Sequence, residues 1–198
     1  MAYLAANWLE IIGLISGLLC VWLLIRENVL TFPIGLIYAV VTVVVVARAN
    51  LFADVILNLY YVVMNAYGWY FWLYGAKDRR TSETLLVAWV PRAQWLAIIA
   101  VIVLGTLLMG WYFATQTQAS LPYPDSFTTV ASFVAMWMSA RKYLESWILW
   151  LIIDVVQVGL YIVKGIEAYA LLYLIYLFMA VYGWLQWRRH LVVQKTAA

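Results

Sequence analysis

The sequence is poor in charge. Of 198 residues only 11% are Asp, Glu, Lys or Arg, where soluble domains carry about 25%. It has one histidine and one cysteine. A metal carrier needs clustered His, Cys or carboxylate ligands, so that class is excluded. Cys20 has no partner for an intramolecular disulfide and says nothing about compartment. The lysines are Lys77, Lys142, Lys164 and Lys195. All fall in gaps or the tail, which excludes a retinal protein with its Schiff base in the last helix. The opening Met-Ala-Tyr-Leu-Ala-Ala lacks the basic segment of a signal peptide. No nucleophile–base pair or carboxylate pair at one depth stands out, so an enzyme is not expected and no cofactor or metal is called for.

Apolar residues fill the space instead, at 68% of the chain. The pattern predicts an all-α integral membrane protein, a single transmembrane domain over 1–198 with seven transmembrane helices. The spans fall at about 7–25, 32–48, 51–74, 95–115, 126–140, 143–163 and 167–187. Residues 75–94 and 116–125 read as loops, and Arg188 opens a tail. Ten of the twelve basic residues collect on one side: Arg26, Lys77, Arg79, Arg80, Arg92, Arg141, Lys142, Arg188, Arg189 and Lys195. Arg48 and Lys164 lie on the other. The positive-inside rule then puts the N-terminus outside and the C-terminus in the cytoplasm. The net charge of +3 needs no nucleic-acid partner.

Tyr67-Gly-Trp-Tyr-Phe-Trp72 reappears as Tyr182-Gly-Trp-Leu-Gln-Trp187, an offset of 115. The same offset puts Arg26 on Arg141, Leu57 on Leu172 and Tyr61 on Tyr176. This predicts a 3+1+3 parallel repeat: a first three-helix repeat over 7–74, a linker helix over 95–115 and a second repeat over 126–187. Repeats of this kind occur in transporters that bind substrate near the midplane.

The candidate site residues lie inside these spans. Trp147, Trp150 and Asp154 share one helical face in the sixth span, with Gln157 and Tyr161 extending it. A carboxylate within a bilayer costs about 2.5–3.5 kcal/mol on insertion scales and marks function. Two indoles beside it suit a flat, cationic ligand, and the lone Asp154 reads as counter-ion rather than proton relay. In the third span Asp54, Asn58, Tyr61, Asn65, Trp69 and Trp72 form one polar and aromatic face. It reads as a cavity wall, interhelical glue being the other use of membrane asparagines. The seventh span adds Tyr173 and Tyr176.

Asn65-Ala-Tyr-Gly-Trp-Tyr-Phe-Trp72, Arg141-Lys-Tyr-Leu-Glu-Ser-Trp-Ile-Leu-Trp150 and the 3+1+3 layout together resemble the PnuC family of bacterial vitamin transporters. The resemblance runs from about residue 8 to 189. It implies a fold similar to the SWEET sugar transporters and a place in the bacterial inner membrane. It also implies uptake of nicotinamide riboside for NAD biosynthesis by facilitated diffusion, with trapping by a cytoplasmic kinase, and a homo-oligomer. The resemblance also implies relatives that carry thiamine and others that carry riboflavin. Asn58 and Asp154 depart from the nicotinamide riboside pattern, which often has glutamine and asparagine there, and so does Tyr182, near which it has an asparagine. Nicotinamide riboside and thiamine are both aromatic cations that Trp147 or Trp150 would stack on, gaining about 0.5–2 kcal/mol. A structural subunit with no cargo is the remaining reading; no small molecule would protect such a protein against heat.

Overall fold

The computed structural model describes residues 8–48, 52–75, 85–118 and 120–197. Seven helices follow one another: α1 (Trp8–Ile25), α2 (Thr31–Arg48), α3 (Phe52–Tyr74), α4 (Arg92–Gln116), α5 (Pro122–Ala140), α6 (Ser146–Val163) and α7 (Glu167–Ala197). Among the described residues there is no strand, only an isolated parallel bridge between Ala88 and Tyr143. The chain divides into two compact units, Met1–Leu85 and Leu86–Ala198. In the first, α1 packs on α2 and α2 on α3; in the second, α4 packs on α5, α5 on α6 and α6 on α7.

The faces turned outward are as apolar as the faces turned in. Leu96, Ile37, Val63 and Leu108 are all more than 60% exposed, which only a hydrocarbon solvent makes cheap. Arg92–Gln116, Ser146–Val163 and Glu167–Val193 are long and apolar enough to cross a membrane. Leu14–Ile25 and Thr31–Val44 are shorter apolar stretches.

Several boundaries differ from the sequence-based expectation. Helix α5 starts four residues early, because Pro122 sits in its first turn, where a missing N–H leaves nothing unpaired. Helix α4 starts directly after Pro91. Helix α6 starts three residues late, since Arg141–Glu145 form a turn with Lys142 at φ 59°. Helix α7 runs on to Ala197 through the expected tail. No Gly or Pro interrupts it there, Arg188 lies over the Trp184 ring at 5.0 Å and Gln186 pairs with His190 at 3.2 Å. Within the expected loop over 75–94, Ala88 pairs with the α5–α6 turn through Lys142 and Leu144. The basic Lys77, Arg79 and Arg80 and the tight turn at Ala49–Asn50 lie outside the described residues.

The offset of 115 recurs in the backbone. Asn28 N–H donates to Leu23 O at 2.9 Å, and Tyr143 N–H to Met138 O at 2.9 Å. Glu27 N–H donates to Leu24 O and Lys142 N–H to Ser139 O, both at 3.0 Å. These are the paired bonds of a Schellman helix end. Its left-handed residue is Glu27 in one case (φ 53°) and Lys142 in the other (φ 59°), where an L-residue costs roughly 1–2 kcal/mol. The packing behind each turn matches too. Gly68 admits the Phe32 ring, which meets Trp72 edge-on at 4.9 Å. Gly183 admits the Trp147 ring, which meets Trp187 edge-on at 5.4 Å. One hairpin design is therefore built twice, once with a phenyl ring and once with an indole.

Candidate functional site

At 100° per residue, Asp154 on α6 points within about 20° of Trp147 and about 40° of Trp150, so it lies between the two. The indoles part company on either side of it. Trp147 leans towards α7: it is 2% exposed, packed over Gly183 and against Trp187. Trp150 leans towards α5: its Nε1 donates to Ser139 Oγ at 3.1 Å, and Ser139 Oγ donates to Ala135 O at 2.9 Å. Ala131 and Ala135 clear the space on α5 that this ring packs against. Asp154, one to two turns further along the same face, is buried, 5% exposed, and among the described residues no donor reaches its carboxylate. Trp147 Nε1 is likewise buried with no acceptor among the described residues. An indole N–H buried without a protein partner, on the face that also carries a buried carboxylate, needs a further explanation, since buried polar atoms are nearly always paired.

Towards the far end of α6 the same stripe becomes a stack of tyrosines. Tyr161 lies nearly parallel to Tyr169 at 5.2 Å and to Tyr173 at 5.3 Å. Tyr173 in turn meets Tyr176 edge-on at 5.8 Å. Beyond the stack, the start of α5 and the end of α6 are joined by Lys164 Nζ donating to both oxygens of Asp125 at 2.7 and 2.9 Å. Both partners are partly exposed.

In the first unit Asn58 and Asn65 are buried, at 7% and 5% exposure. Gly35 on α2 lets Asn65 in: a Cβ there would lie 3.0 Å from its Cγ and 3.2 Å from its Nδ2. Asn65 Nδ2 donates back to Tyr61 O at 2.8 Å. Tyr61 is half-buried and stands edge-on to Tyr60 at 6.0 Å. Trp69 is 38% exposed. The side chain of Asp54 lies outside the described residues. The offset of 115 pairs Asn58 with Tyr173 and Tyr61 with Tyr176, but Asp154 with Ala39 and Asn65 with Ala180. The carboxylate and the indole N–H thus belong to the second unit alone.

Residues 7–189 match the family described as nicotinamide mononucleotide transporter. The chain belongs to that family. It is 31% identical to the nicotinamide riboside transporter PnuC of Escherichia coli (strain K12), over 91% of this chain and 85% of that one. It is 28% identical to the riboflavin/roseoflavin transporter RibM of Streptomyces davaonensis, over 91% and 84%. The crystal structure of a vitamin B3 transporter PnuC is 25% identical and covers 96% of this chain and 84% of its own, with a TM-score of 0.72. Its relatives are named as transporters, not enzymes. The chain is thus a vitamin-transporter family member of the PnuC type and a multi-pass protein of the bacterial inner membrane.

For a transporter of this family, the sequence singled out the rings and the carboxylate but not what holds them. Ser139 was not singled out. Gly183 belonged to the repeated motif without a role. The strap over 86–91 had no signal at all.

Proposed function

We propose that this chain takes up nicotinamide riboside by facilitated diffusion with alternating access. A cytoplasmic kinase would trap the product by phosphorylation, outside this protein. The observation that carries the reading is Asp154: a carboxylate on an otherwise apolar stretch of α6, buried on the helical face that also carries two indoles, with no protein donor among the described residues. A pyridinium ring satisfies such a site on both counts. Its fixed charge offsets the carboxylate, and its flat face gains cation–π attraction of about 0.5–2 kcal/mol from an indole. Within the same unit Tyr173 and Tyr176 would offer hydroxyls to the ribose; in the first unit Asn58, Tyr61, Asn65 and Trp69 are the candidate ligand-facing residues. An N-terminus outside, a C-terminus in the cytoplasm and a homo-oligomer complete the proposal. A thiazolium ring meets the same demands, so thiamine is the second reading, carried by the same carboxylate.

The test is titration of the detergent-purified protein by intrinsic fluorescence, with nicotinamide riboside, thiamine and riboflavin in parallel. The sequence has 12 tryptophans, and stacking on Trp147 or Trp150 quenches them. Saturable quenching by nicotinamide riboside alone is expected. Quenching by thiamine alone keeps the mechanism and moves the cargo. Quenching by the uncharged riboflavin alone removes the counter-ion role from Asp154.

Trp147→Phe isolates the indole N–H. Phe32 already shows that a phenyl ring fills the same seat in the first unit. The variant is therefore expected to keep its fold and melting temperature. Loss of one hydrogen bond to ligand, about 0.5–1.5 kcal/mol, would weaken the dissociation constant by up to about tenfold. An unchanged constant assigns Trp147 to packing.

A further inference from the structure

The two hairpins share the backbone bonds of the turn and of the helix start that follows, but differ at the residue that leads into the second helix. In the first unit that residue is Leu30, 53% exposed. In the second it is Glu145, 8% exposed. Helix N-termini usually draw a nearby carboxylate onto their own free N–H groups. Glu145 does not do this, for its side chain makes no capping bond. It turns the other way, and both its oxygens accept from Val90 N–H, at 3.1 and 3.0 Å, 55 residues away in sequence.

Val90 belongs to the extended strap over 86–91. Ala88 N–H donates to Lys142 O at 3.1 Å, and Leu144 N–H donates to Ala88 O at 2.9 Å. Val90 also enters the apolar cluster of Ile98, Val134, Met138 and Tyr143, with Leu149 packed against it. The strap therefore grips the turn from Lys142 to Glu145 by backbone, by carboxylate and by side-chain packing. The gripped turn is also the start of α6. Ile148 N–H donates to Glu145 O at 3.1 Å and Leu149 N–H at 3.2 Å. Trp147 and Trp150 stand two and five residues further on.

We propose that Glu145 is a positioning residue for transport: by holding the 86–91 strap on the α5–α6 turn, it fixes the first turn of α6 and so the directions of Trp147 and Trp150. The carboxylate touches no ligand. It acts through the strap, which ties the residues preceding α4 to the start of the helix bearing the indoles. The value of the device lies in the left-handed Lys142. A helix end held by a strained L-residue is a natural pivot, and in the second unit the strap closes it. The inference rests on the reading of Trp147 and Trp150 as ligand-facing residues, so its test has one arm that needs no ligand.

Amide hydrogen exchange is measured on the full-length protein and on the Glu145→Ala, Glu145→Gln and Ala88→Pro variants. Glutamine keeps one acceptor oxygen for Val90 N–H. Proline at position 88 is exposed, suits extended backbone and removes the donor to Lys142 without touching α6. Exchange over 147–150 is expected to rise at least tenfold in Glu145→Ala and Ala88→Pro, with 128–135 unchanged, and to return to wild type in Glu145→Gln. Nicotinamide riboside affinity, read by fluorescence, is expected to fall about tenfold in the first two and to stay within twofold in the third. Wild-type exchange at 147–150 in folded Glu145→Ala or Ala88→Pro overturns the proposal, and so does a Glu145→Gln variant as perturbed as the alanine. If Glu145→Ala does not fold, Ala88→Pro decides alone. If the wild type binds no nicotinamide riboside, the functional reading fails while the exchange arm still decides the strap.

Discussion

Asp154→Ala is expected to abolish measurable binding of nicotinamide riboside while leaving the protein at least as heat-stable as the wild type. The two signs have one cause. A carboxylate buried within a membrane helix without a donor weakens the unliganded protein, by about 2.5–3.5 kcal/mol on insertion scales. Removing it relieves that term. The same group is the proposed partner of a fixed positive charge, and losing one member of a desolvated charge pair costs about 2–5 kcal/mol. That is a loss of affinity of about 30-fold or more. Asp154→Asn separates charge from shape. It keeps the volume and one acceptor oxygen but turns the other into a donor and removes the charge. Asparagine is also what the nicotinamide riboside pattern often has there. A loss of about 30-fold in this variant therefore assigns the contribution of position 154 to charge, and retained affinity assigns it to hydrogen bonding. Against an uncharged ring the asparagine would lose little. Parallel melting curves and fluorescence titrations read both effects. Wild-type affinity in a folded Asp154→Ala protein would remove the carboxylate from the site. Trp150→Ala is a different case: it takes away a stacking face and also the bond to Ser139, so both affinity and stability are expected to fall.

What was legible in the sequence follows from which forces leave a periodic trace. Apolar runs about 20 residues long give the spans, because the bilayer imposes their length. The repeated Tyr-Gly-Trp pattern gave an offset that the backbone bonds of both turns share, because a Schellman end and its packing recur together. Trp147, Trp150 and Asp154 were legible because a carboxylate among aliphatic residues is rare. Two kinds of feature were not. Helix ends near proline slipped by several residues, since Pro122 and Pro91 mark a helix start as readily as a loop. The strap was silent because extended backbone pairing with a turn uses N–H and C=O groups that every residue has. Glu145 carried no reading of its own; only the fold brings Val90 to it. Asn65 is an intermediate case. Its place on a polar face was legible, but its fit against Gly35 needed two helices at once.

That fit between a glycine and a ring carries the second large effect, at Gly183. A Cβ there would lie 2.7 Å from Cδ2, Cε2 and Cε3 of Trp147, directly on the indole face. The ring cannot swing aside cheaply, because Trp187 closes it edge-on and both indoles are almost fully buried. Gly183→Ala is therefore expected to destabilise the protein by about 1–3 kcal/mol, the range for overpacked cores. It is also expected to displace Trp147, shifting its emission and weakening any ligand that stacks there. Gly159 on α6 supplies the control, for a Cβ there meets nothing within 4 Å. Gly159→Ala removes backbone freedom without a clash and is expected to be neutral or to stabilise by up to about 1 kcal/mol. The same substitution on two helices of one unit thus carries opposite signs, set by a single ring. Trp147→Ala closes the argument: combined with Gly183→Ala, the loss of stability is expected to be smaller than the two single losses added together. Removing the indole removes what the new methyl group strikes, and contacting residues are where additivity fails. Strict additivity in that pair would mean that the ring does not sit on the glycine.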